Sequence, residues 1–247
     1  MKILENDPPL ACECRLPWLI NAFIYPVSLS GMIHLVFFLL VPLLFSKFMG
    51  LIESTLARHI GPASAEITEP LTIIFYVVFY AYVCFYIADC VIASSKGARR
   101  ASYPTTPANF SIGDYVSQAL VIVGCAAICL APVILYYHMT KRTDSLLWIL
   151  LAYGIFFLPM SLLRGIWFDS FDALNPIEII RSICKSFFPY CGLVIFFAVV
   201  GGFIEVVLPR LAVWGFVKQT VKIYLVFVLA HRLGWFYWWY KNKLEWE

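Results

Sequence analysis

Long, nearly unbroken apolar runs divide this chain, and each is close to the roughly 20 residues that a helix needs to cross a bilayer. They lie near residues 32–49, 71–93, 115–138, 146–167, 187–208 and 212–234. Apolar positions follow one another here without the period-two alternation of a lipid-facing strand, so these are helices and not barrel strands. The pattern predicts an all-α polytopic membrane helix bundle of about six crossings, forming a single integral membrane domain over residues 1–247.

Between the runs, three shorter stretches read as helices lying in the interface. The first, near residues 16–25, ends at Pro26. The second spans residues 48–60, where Phe48, Leu51, Ile52, Leu56 and Ile60 recur at helical spacing until Gly61 and Pro62 stop the pattern. The third, near residues 176–186, opens with Asn175, Pro176 and Glu178, the signature of a capping box with a first-turn proline. By contrast, residues 94–114 read as a loop, with Pro104, Pro107 and a basic start at Lys96, Arg99 and Arg100.

Composition sharpens this picture. Of 247 residues, 62% are hydrophobic and 13% charged, against about 45–50% and about 25% in an ordinary soluble domain. The formal charge of +3 is too small to indicate a nucleic-acid partner. The first fourteen residues, with Glu5, Asp7, Pro8 and Pro9, lack the basic start and short apolar core of a cleaved export signal. Counting Lys and Arg with six crossings gives eleven on the side of both termini and five on the other, which predicts cytoplasmic termini. Membrane lipids are then partners by necessity, and basic and aromatic residues on that side mark the contact: Arg99, Arg100, Trp235, Trp238 and Trp239, available either to headgroups or to other membrane subunits.

Charge within an apolar run is costly and draws attention to function. Glu205 on the fifth crossing faces two cations on the sixth, Lys218 and Lys222, which lie four residues apart on one face. Ala198, Gly201 and Gly202 share the face of Glu205 and admit a close neighbour, so the expectation is an ion pair through the bundle interior. It would serve as a polar relay, as a substrate contact or as a structural pair fixing register. A second set, Asp89, Arg164, Asp169 and Asp172, falls at the cytoplasmic ends of the second and fourth crossings. Carboxylates beside an Arg suit a divalent metal in a membrane-embedded hydrolase, and equally suit a chain turning into a surface helix.

Other chemistry finds little footing. His34, His59, His138 and His231 stand on four segments without two-ligand spacing, and read as interfacial residues. Most of the eight cysteines fall in apolar runs and read as small packing residues; Cys12 and Cys14 form a C-x-C pair open to a metal or to a disulfide. No phosphate loop, no nucleophile elbow and no inverted repeat is visible, and no cofactor is indicated. These absences favour a structural or accessory membrane protein, a partner within a larger complex. A small-solute or ion transporter and a membrane-embedded lipid-acting enzyme remain as alternatives, with catalysis the least supported.

The stretch F-F-L-P-M-S-L-L-R-G-I-W-F-D-S-F-D-A-L-N-P-I-E from Phe156 to Glu178, and the ending A-H-R-L-G-W-F-Y-W-W-Y-K-N-K-L-E-W-E, resemble a pattern in uncharacterised bacterial six-helix membrane proteins of planctomycete type. Those are similar in layout to Yip-type and domain-of-unknown-function membrane families. The resemblance implies a six-helix fold and a bacterial inner-membrane address, and carries over no catalytic residue.

Overall fold

A computed structural model describes residues 18–61, 63–98, 100–101, 112–170 and 175–246. Cys12, Cys14, Arg99 and Asp172 lie outside them. In chain order the helices are α1 (Trp18–Ile24), α2 (Leu29–Ile60), α3 (Ala63–Ser95), α4 (Ile112–Thr140), α5 (Ser145–Phe168), α6 (Pro176–Lys185), α7 (Phe187–Gly202), the short α8 (Leu208–Arg210) and α9 (Gly215–Leu244). A 3-10 turn, Tyr25–Val27, joins α1 toward α2, and a π turn, Phe203–Val207, joins α7 to α8 without a break. The chain is an all-α polytopic bundle.

Among the described residues, five helices are long and apolar enough to cross a membrane: Leu29–His59, Ala63–Ser95, Tyr115–Thr140, Ser145–Phe168 and Phe187–Arg210. The more polar α9 is not among them, because Lys218, Lys222, His231 and Arg232 interrupt its apolar run. It nevertheless lies alongside α3, pointing the same way. Gln219 and Tyr76 line one cavity at one end, Phe227 meets Tyr86 at 5.2 Å in the middle, and Trp238 packs on Gly97 at the other end. A helix that accompanies a membrane-crossing neighbour over this length shares its depth.

The surface helix expected at residues 48–60 does not exist as a separate element. α2 continues from Leu29 through Ile60, with Pro42 inside it, because nothing between Met49 and Ile60 breaks a helix. It ends only at Gly61, whose φ of 62° falls in the region that favours glycine. α3 likewise starts at Ala63 and absorbs Pro70, eight residues ahead of the expected crossing near 71. The sixth run shifts the other way. Residues 212–214 stay outside a helix, and α9 continues to Leu244 through the aromatic cluster. α6 forms as the capping pattern predicts, with Asn175 Oδ1 accepting from the Ile177 amide at 3.1 Å.

Packing follows from where side chains are missing. A Cβ on Gly165 would lie 2.6 Å from Cys125 Sγ, and one on Gly154 2.8 Å from the Cys129 carbonyl oxygen, so α4 and α5 touch backbone to backbone. Cys125 and Cys129 are buried in this seam, and the Cys125 thiol donates to the Ser161 carbonyl at 3.5 Å. On α9, Gly234 presses on the Val91 carbonyl and on Ser94 of α3. An aromatic layer fills the space around them: Phe38, Phe79, Tyr86 and Phe227 meet edge to face.

Substituting Gly234→Leu forces a branched side chain into the Val91 carbonyl and costs about 3 kcal/mol. Gly50→Ala, at a position where an added Cβ meets nothing within 4 Å, leaves stability unchanged or raises it slightly. Thermal unfolding of both variants in detergent micelles checks the contrast.

Candidate functional site

Glu205 sits in the π turn, a one-residue excess that recurs at functional positions in helices. Its Oε1 lies 3.5 Å from Lys222 Nζ on α9, and the two side chains are 73% and 50% exposed. Lys218 takes a different partner, donating from Nζ to the Pro209 carbonyl at 2.8 Å. The pair thus forms, but on the outside of the bundle and not through its interior. The reason is helical phase: Leu193, Val200, Ile204 and Leu208 turn toward the core, which swings Glu205 outward. Gly192, Ile195, Ala198, Val199, Gly202 and Val206 are exposed on the same side, and a Cβ added at Gly192, Gly201 or Gly202 meets nothing within 4 Å. The close neighbour that these small residues admit is therefore not another helix of the described chain.

At the opposite end of α9, Asp172 of the expected carboxylate set lies outside the described residues. Arg164 is buried and pairs with Glu178 of α6 at 3.6 Å, which takes Glu178 away from the reciprocal half of its capping box. Asp169 closes α5 in a left-handed conformation, with φ of 46°. Among the described residues, no group of three or more His, Cys, Asp or Glu is placed to hold a metal.

What assembles around Arg164 is a clasp made by the last residues of the chain. Its guanidinium lies 5.3 Å from the centres of both the Phe168 and Trp246 rings, between helix α5 and the tail. Trp246 Nε1 donates to Ser182 Oγ at 3.0 Å, and the Trp246 ring lies 5.3 Å from that of Tyr237. Glu245 pairs with Lys185 of α6. The neighbouring Lys185 holds the Glu245 carboxyl below the usual range.

The aromatic exit divides into packed and exposed residues. Trp235 Nε1 donates to the Ala98 carbonyl at 3.3 Å, and Trp238 lies over Gly97, whose φ of 90° bends the chain beneath the ring. Both serve internal packing. Trp239 is 69% exposed, Trp238 keeps 38% of its surface uncovered, and Arg100 is exposed as well.

One cluster escapes the sequence reading. His34 and His231, taken from the sequence as interfacial, are both buried. His231 stacks on Tyr25 at 3.9 Å and shares a 2.8 Å hydrogen bond between its Nδ1 and Ser94 Oγ. His34 stacks on Tyr86 at 3.9 Å, its Nδ1 2.8 Å from the Ser30 carbonyl oxygen. The signal was present as Tyr86, Cys90 and Ser94 at four-residue spacing, a polar stripe on an apolar helix. Its partners come from two other helices and a turn, and spacing alone does not name them.

No protein-family model matches this chain, and no curated protein or solved structure is similar to it.

Two sets of variants probe these contacts. Ser94→Ala removes the partner of a buried imidazole and lowers stability by about 1–3 kcal/mol, whereas Ser95→Ala, whose hydroxyl bonds the Ile92 carbonyl of its own helix, costs less than about 1 kcal/mol. Trp246→Ala opens the clasp at a cost of about 2 kcal/mol. Since the carboxyl of Glu245 is held low when folded, its contribution is complete above the unfolded carboxylate range and disappears as pH falls through the lowered value. Limited proteolysis of the carboxyl terminus, followed from neutral pH downward, should show cleavage accelerating only at the acid end.

Proposed function

We propose that this chain is a structural or accessory integral membrane protein that works by contact, with a partner helix seated on the outward face of α7. The observation carrying this reading is the exposed Glu205–Lys222 pair. Glu205 lies five residues before Arg210, about 8 Å along the helix at 1.5 Å per residue, so the pair sits within the apolar stretch and not at its rim. Charges there face either hydrocarbon, at high cost, or another protein. Ala198 and Gly202, a small pair four apart, let a second backbone come close on the same face.

The rival readings draw less support. A transporter built on Glu205 and the two lysines needs them turned toward a passage, and here Glu205 and Lys222 stand on the outer face. A lipid-acting enzyme needs Asp89, Arg164, Asp169 and Asp172 in one pocket; Asp172 lies outside the described residues, and Arg164 lies beside Glu178. For the membrane, the inferred address is the bacterial cytoplasmic one with both termini inside. The basic residues crowd toward that side, and α9 runs parallel to α3, which supports an even number of crossings.

A photo-crosslinking residue placed at Val199 should yield protein adducts in native membranes, and Gly202→Leu should abolish them without lowering the unfolding temperature. The same residue at Ile149, equally exposed at 64% on α5, serves as the control. Adducts from Ile149 as strong as those from Val199 would remove α7 as the contact face. Labelling of cysteines introduced at Glu53 and Lys243 checks the orientation: only the former should react from outside.

A further inference from the structure

We propose that the occupant of the α7 face is a second copy of this chain, related by a two-fold axis along the membrane normal. The inference rests on the contact reading above and names its partner. Three properties of the exposed pair lead to it.

The face carries both signs in contact, Glu205 and Lys222 at 3.5 Å, with each side chain half or more uncovered. A two-fold axis beside them brings a second carboxylate and a second ammonium of the same geometry. Each carboxylate then lies between two ammonium groups in an alternating, neutral ring of four charges, removed from lipid. A partner of different sequence needs its own donors and acceptors at matching depth, whereas a second copy supplies them by symmetry.

Close approach is available where the ring needs it. Gly202 is about one turn from Glu205 and Ala198 one turn further, and a Cβ built on Gly202 meets nothing within 4 Å. Two such faces pack at short interhelical distance, as small-xxx-small pairs do. Lys218 does not compete for the carboxylate, because its ammonium is tied to the Pro209 carbonyl.

A charge-swap pair of full-length chains tests this in native membranes, with the photo-crosslinking residue at Val199 as the readout. Glu205→Lys alone places two cations on the face, and Lys222→Glu alone places two anions. Each should reduce the adduct at twice the chain mass about tenfold, a difference of about 1.4 kcal/mol. Co-expressing the two variants with different tags should restore a mixed adduct carrying both tags to within about twofold of the unaltered protein. Because the altered side chains are exposed, unfolding temperatures in micelles should stay unchanged, which separates lost pairing from lost folding. Adducts only at the mass of the chain plus a different protein would overturn the second-copy assignment and keep the contact reading. Adducts with lipid alone would overturn both. A twofold-mass adduct indifferent to both single variants would show that the charges do not join the copies, and the proposal would fail.

Discussion

Gly234 is where α9 is admitted to the bundle. A helix interrupted by two lysines, a histidine and an arginine has little reason to enter a bilayer by itself. It is held there because Gly234 brings its backbone against the Val91 carbonyl and Ser94, a distance that any side chain would prevent. That approach places His231 one turn back, level with the Ser94 hydroxyl and beneath the Tyr25 ring. It places Trp238 one turn on, over Gly97. His231 is therefore accommodated by Ser94 of α3 and by Tyr25 in the turn before α2, and the bundle closes around it.

The two ends of α9 have opposite characters. At its carboxyl end several contacts run inward: Tyr237 meets Trp167 and Trp246, Arg164 lies between Phe168 and Trp246, and Glu245 reaches α6. Tail, α6 and α5 are thereby linked to one another. At its amino end, Trp214 is 84% exposed, and the Glu205–Lys222 pair stands on an open face. A well-contacted carboxyl end and an open flank at the other are what support the contact role proposed above.

The histidine cluster illustrates how a bilayer protein uses polarity for specificity. Tyr25, His34, Tyr86 and His231 are large, flat and amphipathic, so they bury apolar area while their heteroatoms fix rotation through Ser94 and the Ser30 carbonyl. In a lipid environment that exerts no hydrophobic force between helices, such contacts and small-residue seams set register. Cys125 and Cys129 against Gly165 and Gly154 do the same for α4 and α5.

The amino-acid sequence by itself determined the fold class, because apolar runs of membrane length leave the backbone no option but helix. It also determined the start of α6, since Asn175 and Pro176 act within one turn, and the existence of the Glu205 pairing, since a short connection joins its two helices. Tertiary structure decided what depends on distant partners or on rotation about a helix axis. Periodicity places Ala198, Gly202 and Glu205 on one face, but only the packing of Val200 and Ile204 against α9 decides that this face looks outward. Arg164 had acidic candidates on several segments, and the fold brings Glu178 of α6, which spacing did not name for it, to its side. Residues 48–60 are amphipathic enough to lie on a surface, yet an unbroken chain of backbone hydrogen bonds kept them in line with α2. Periodicity is local and survives in one dimension; the choice among equally spaced partners is made only when helices meet.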